Sequence, residues 1–265
     1  MRTLSIALSI FAVAAHAADL RMHIEATGEG RPVALVGGGT TGADSWSAIK
    51  PLLQSRRVLN AQPLAVQYGL DGRALPSAYS IRTESEALGN ALASTPVDVI
   101  GWSLGALIAL DFALQNPARV RTLTLIEPPA FWLLPNHGAE DEGANRMQEL
   151  LRTFRGTDIS EDQFQQFRCA LGDCSGAKTL LRYRRSLLGL PAVADHRDDP
   201  RRLQRLTMPV LVVTGAATVP FHKRINQVLL EKLPNSQALE LPGGHNSFQG
   251  APEEFVRAWT SFTAK

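Results

Sequence analysis

Gly101-Trp102-Ser103-Leu104-Gly105 sets a serine two residues from a glycine on each side. A serine hydroxyl is a weak nucleophile until a base takes its proton and the backbone presents its oxygen openly. Residue frequencies alone produce such a pentapeptide in roughly one chain in ten of this length, so context has to decide. A short Val/Ile-rich run, Val97 to Ile100, precedes it, and an apolar helical pattern follows to Gln115 before Asn116-Pro117. Strand, sharp turn and helix is the setting in which a serine is exposed for attack. The Leu104 amide then lies at a helix N-terminus, where a developing negative charge is stabilised.

The base that such a serine needs is sought among six histidines. His245 closes a Pro242-Gly243-Gly244-His245 turn late in the chain, after an apolar run from Ala238 to Leu241. His16 falls in the leader described below, His23 on the first strand, His137 and His196 in a helical insertion, and His222 at a helix start. None of these is as well placed. A third glycine-rich site, Gly37-Gly38-Gly39, follows the apolar run Pro32 to Val36. It lacks the Gly-Lys-Ser/Thr that a phosphate loop requires, so it does not read as a nucleotide site.

The pentapeptide, the triglycine loop and the late histidine together resemble the α/β-hydrolase family, over nearly the whole mature chain. The resemblance implies a serine hydrolase with Ser103 as nucleophile and His245 as base. Its first oxyanion amide would fall on Gly39, with Gly38 as the neighbouring candidate, and its second on Leu104. Two departures stand out. The His of the family's usual His-Gly-x loop is missing, and the turn Gly215-Ala216-Ala217-Thr218-Val219-Pro220 holds no carboxylate where the acid commonly sits. Glu127, at the end of the run Val120 to Ile126, is the candidate for that acid. An acid after this strand, the sixth of the family core, is similar to the arrangement in zearalenone-type lactone hydrolases and one subgroup of haloalkane dehalogenases. The chain order serine, acid, histidine is preserved. Asp198 and Asp199 are more distant choices, and a capping or salt-bridged Glu127 is the alternative.

The elements that must position these groups repeat as strand, loop, helix. Strand patterns are Leu20 to Thr27, Pro32 to Val36, Arg57 to Ala61, Val97 to Ile100, Val120 to Ile126, Pro209 to Thr214 and Ala238 to Leu241. Helices are expected from Thr83 to Ala93, with Thr83 and Glu86 at capping-box spacing, from Pro220, and from Pro252. The last buries Phe255, Trp259 and Phe262 at i, i+4 and i+7. The expectation is an α/β fold, a mostly parallel central sheet with helices on both faces. Between 131 and 206 the pattern is helical, with Met147, Leu150, Leu151 and Phe154, then Phe164, Phe167 and Leu171 after a Ser160/Gln163 capping box. This stretch reads as an inserted helical cap.

Arg2, an apolar stretch from Leu4 to Ala15 and Ala15-His16-Ala17 read as a signal peptide over 1–17 with the mature domain at 18–265. The stretch is too short to span a bilayer, which takes about 20 residues, so no stable membrane anchor is expected. An exported, periplasmic or secreted, protein follows. Cys169 and Cys174 flank Gly172-Asp173, a turn that could bring them to bridging distance. A disulfide is the preferred reading in an oxidising compartment, two reduced thiols the alternative. No metal-ligand spacing accompanies them.

The net charge of +2 over 265 residues argues against a nucleic-acid partner. No cofactor is implied, and nothing sets an oligomeric state. The expected substrate is a small or medium apolar ester or lactone, met by Phe131, Trp132, Leu133, Phe164 and Phe167 from the cap. Arg182, Arg184 and Arg185 make an acidic substrate conceivable, though a solvated face is the simpler reading. Carbon–carbon or amide hydrolysis, cofactor-free peroxidation, or a binding protein on the same scaffold are the rivals.

Overall fold

In a computed structural model, residues 20–134, 142–175 and 178–264 are described. The leader expected over 1–17 lies outside them. The strands are β1 (His23–Thr27), β2 (Arg31–Val36), β3 (Arg56–Gln62), β4 (Val97–Trp102), β5 (Val120–Ile126), β6 (Val210–Gly215) and β7 (Ser236–Leu241). They form one seven-stranded sheet in the order β1-β3-β2-β4-β5-β6-β7. Only β1 runs antiparallel to its neighbour; the other pairs are parallel. Burial follows position. The central β4 is buried throughout, and the edge strands β1 and β7 are largely exposed.

The helices are α1 (Leu64–Leu70), α2 (Ile81–Ala91), α3 (Leu104–Gln115), α4 (Glu142–Thr153), α5 (Glu161–Ala170), α6 (Leu190–Asp195), α7 (Pro220–Lys232), α8 (Ser247–Gly250) and α9 (Pro252–Thr263). Alternation along β2 divides the core. Val33 and Leu35 face a cluster with Trp46, Phe248, Phe255 and Trp259, whereas Ala34 and Val36 face the one built on α3. Helices on both faces of a mostly parallel sheet make this the α/β-hydrolase fold.

Two local expectations are corrected. Helix α2 begins at Ile81, and its N-cap is Ser80, whose hydroxyl accepts from the Thr83 amide. The Thr83/Glu86 pair therefore lies inside the helix and caps nothing. Helix α1 carried no local signal, because its cap is tertiary. Its N-cap residue Pro63 offers no side-chain acceptor, and the buried Glu84 carboxylate of α2 accepts from the Leu64 and Ala65 amides at 2.8 Å each. The Ser160/Gln163 capping box forms with both bonds.

Between β5 and β6 run α4, α5, a 3-10 segment (Lys178–Gly189) and α6, with no strand among the described residues. Met147, Leu151, Phe154, Phe164 and Phe167 are buried there, and Leu150 and Leu171 are partly buried against them.

Candidate active site

The candidate groups arrive from the C-terminal ends of β2, β4, β5, β6 and β7, the rim where open parallel sheets bind ligands. Ser103 connects β4 to α3 with φ 54° and ψ −120°, a left-handed conformation that a non-glycine residue rarely takes. The flanking glycines make that turn possible. A Cβ on Gly105 would sit 2.1 Å from the Val36 carbonyl oxygen, and one on Gly101 would sit 2.4 Å from that of Gly105. The Ser103 amide donates to the Ile126 carbonyl at 2.9 Å, so the turn is also tied to β5.

Glu127 follows immediately and is the other non-glycine residue at positive φ, 46°. Its carboxylate is fully buried and takes three donors. Gly215 N–H donates to Oε1 at 2.7 Å, Thr218 Oγ1 donates to Oε2 at 2.7 Å, and His245 Nδ1 lies 2.6 Å from Oε2. The turn after β6, which has no acid of its own, thus supplies hydrogen-bond donors to an acid from the neighbouring strand. This bond to a carboxylate fixes the ring and leaves Nε2 as the working nitrogen.

His245 is buried, and the Trp102 indole N–H donates to its carbonyl at 2.8 Å, locking the histidine turn to the serine strand. Among the described residues its Nε2 has no hydrogen-bond partner, so no bond to Ser103 Oγ is formed in this conformation. Both residues line one cavity of about 420 Å³. In enzymes generally such bonds are often long without substrate and shorten in the complex.

Two amides border the same space. The Gly38 carbonyl accepts from the Gly42 amide at 2.8 Å, which turns the Gly39 N–H of that peptide the opposite way. The Ser103 carbonyl accepts from Ala106 and Leu107, which likewise directs the Leu104 N–H out of the helix start. Gly39 and Leu104 are close neighbours: a Cβ built on Gly39 would lie 3.5 Å from Leu104 Cδ2. The Gly38 amide is already committed to Ser45 Oγ at 3.2 Å, which removes Gly38 as an oxyanion donor.

His222 is the residue that sequence reasoning passed over. It lies in the first turn of α7, fully buried, with its ring stacked on that of His245 at 4.5 Å and 14°. Burial first, and the neighbouring His245 second, hold its pKa well below the ordinary histidine value, so it is neutral. Glu127, His222 and His245 each offer one ligand atom within 4.8 Å of the others. Near-parallel rings cannot aim their in-plane lone pairs at one ion, and the Glu127–His245 contact is already a hydrogen bond. The three therefore fit hydrogen bonding better than metal coordination.

The cap contributes Phe131, Met147, Leu151, Phe167, Leu171, Leu190 and Val193 to the cavity. Trp132, Leu133 and Phe164 do not line it; they pack elsewhere in the insertion, correcting that expectation. Arg182 and Arg184 pair with Asp44 and Asp158 on the surface. Asp198 and Asp199 pair with Arg202 and Arg201, away from His245. Cys169 and Cys174 are joined, with Cα atoms 4.4 Å apart.

Residues 33–258 match the alpha/beta hydrolase family, and the chain belongs to it. A pimeloyl-[acyl-carrier protein] methyl ester esterase of Aeromonas hydrophila subsp. hydrophila is 27% identical over 89% of this chain and 97% of its own. With the enzyme of that name from Neisseria meningitidis serogroup A the match is 27% identical over 67% of this chain, and it spans only 61% of that protein. Among solved structures, an esterase from Exiguobacterium antarcticum superposes with a TM-score of 0.65 at 19% identity, over 92% of this chain and 96% of that one. The meta-cleavage product hydrolase of Pseudomonas fluorescens IP01 does so with a TM-score of 0.66 at 19% identity, over 91% and 93%. At these identities the structures speak to the fold alone.

Proposed function

We propose that this chain is an exported serine hydrolase that cleaves a carboxylic ester or lactone through an acyl-enzyme. The observation that carries the proposal is the buried 2.6 Å contact between Glu127 and His245 beside a serine held at positive φ. The esterases among its relatives support the same reaction class.

In the first half-reaction His245 Nε2 takes the Ser103 proton as Oγ attacks the carbonyl carbon. Glu127 holds the ring through Nδ1 and stabilises the imidazolium that forms. The Gly39 and Leu104 amides receive the oxyanion. Collapse of the tetrahedral intermediate expels the alkoxide, which takes the proton from His245. Water then attacks the acyl-Ser103 ester, its proton passing to His245 and on to Ser103 Oγ as the acid leaves. The route needs no cofactor. The serine–glutamate–histidine order, with the acid after β5, is similar to that of lactone hydrolases of the zearalenone type and keeps lactones among the substrates.

A panel of p-nitrophenyl esters, lactones and β-diketones, run on wild type and Ser103→Ala, tests the reaction class. Turnover of esters or lactones, lost in the variant, is the expected result. Turnover confined to β-diketones would move the reading to carbon–carbon cleavage.

A further inference from the structure

We propose that Arg168 recognises an ionised group on the substrate, so that the preferred ester carries a free carboxylate. The inference deepens the ester-hydrolase reading and rests on it for the reaction, though not for the binding. Arg168 stands in the last turn of α5, with its side chain only 6% exposed, and it lines the same cavity as Ser103 and His245. The wall around it joins apolar Met147, Leu151, Phe167 and Leu171 to Asp173 and Ser175, which line the same cavity. A cation set beside apolar side chains can orient a ligand by its charged end.

A guanidinium taken out of water is costly unless its protons find acceptors. Arg168 satisfies only part of that need. Its Nη2 donates to Asp173 and, at 3.2 Å, to Ser175 Oγ; among the described residues Nε and Nη1 donate to none. Among the described residues, three of its five N–H protons thus meet no acceptor. Asp173 is 46% exposed and gives much of its charge to water, so it does not neutralise the guanidinium as a buried partner would.

The group is also held still. The Asp173 amide donates to the Arg168 carbonyl at 3.0 Å, and the Cys169–Cys174 link closes the loop that carries Asp173. Preorganisation of this kind lowers the cost of binding. A carboxylate accepting from Nη1, or from Nε, would make a charge-assisted bond.

The test compares monomethyl esters of dicarboxylic acids, from glutarate to suberate, with the corresponding neutral dimethyl esters. The readout is the ratio of kcat/KM for charged over neutral ester in wild type and Arg168→Met. A fall in that ratio of at least about tenfold is expected, the scale of a lost charge-assisted bond. A ratio unchanged within about twofold, including an equal loss on both esters, overturns the assignment. Calorimetric titration of free dicarboxylates into the Ser103→Ala protein supplies a readout independent of turnover and of the folding of the Met variant. Saturable binding is expected, and heats equal to dilution overturn the proposal. A wild type inert toward every ester that still binds dicarboxylates would sink the hydrolase reading and leave Arg168 in place.

Discussion

The ring of His222 lies against that of His245, centroids 4.5 Å apart and planes 14° from parallel, with His222 Nδ1 buried and without a partner among the described residues. A neutral ring in this place can brace His245 and tolerate its charging; a second cation could not. His222 must therefore stay unprotonated in the folded protein.

That requirement sets a pH dependence of stability. The folded pKa of His222 is depressed, so the unfolded chain binds the proton first as pH falls. The contribution is present above the ordinary histidine value near 6.5 and is lost as pH drops below it toward the depressed folded value. Chemical denaturation at pH 7 and pH 5 should show wild type losing more stability than His222→Phe. The difference approaches about 2 kcal/mol at pH 5, the linkage limit for a histidine that stays neutral. Equal losses would mean that the ring titrates normally.

Glu127→Gln should lower kcat by about 10⁴, because an amide can hold the wrong tautomer of His245. It should also cost about 1–3 kcal/mol, since Gly215, Thr218 and His245 all present donors to a group that would now carry a donor itself. A kcat loss under tenfold in a folded variant would place the acid elsewhere.

The triglycine loop divides sharply by position. A Cβ on Gly38 would meet the Trp102 ring at 2.6 Å, whereas one on Gly39 makes contacts no closer than 3.5 Å. Gly38→Ala should displace the loop, costing about 1–3 kcal/mol and most of the activity. Gly39→Ala keeps its amide and should retain kcat to within a few-fold. Reversal of that order, read by unfolding midpoint and kcat, would contradict the oxyanion assignment.

The Cys169–Cys174 link closes a short loop, so its removal by a double serine substitution should cost at most about 2 kcal/mol. Global unfolding measured with and without reductant is the check. A larger loss would mean that the loop organises more of the cap than Arg168, Asp173 and Ser175.

The succession of strands along the chain, the serine turn and the histidine turn were legible because each depends on local pattern: apolar runs, glycines and their spacing. Glu127 was legible by elimination, since the turn after β6 holds no carboxylate to serve His245. Its three donors were not, because they come from the end of β6 and from the turns after β6 and β7. His222 was hidden by its place at an ordinary helix start; only the packing of α7 beside the histidine turn brings the two rings together. Arg168 was hidden for a similar reason. A charged residue in an amphipathic helix reads as solvated, and it is tertiary packing, with α5 set against α4 and the 3-10 segment, that buries it. The cap of α1 comes from Glu84, which no local spacing could reveal.

The central claim is that Ser103 is activated through His245 and Glu127, and covalent capture of the serine tests it most directly. Wild type treated with a fluorophosphonate and analysed by intact mass should gain one adduct, mapped to the peptide holding Ser103. Ser103→Ala should gain none, and His245→Ala and Glu127→Gln should label far more slowly. A folded wild type that gains no adduct, or one that labels as fast without His245, would contradict the account.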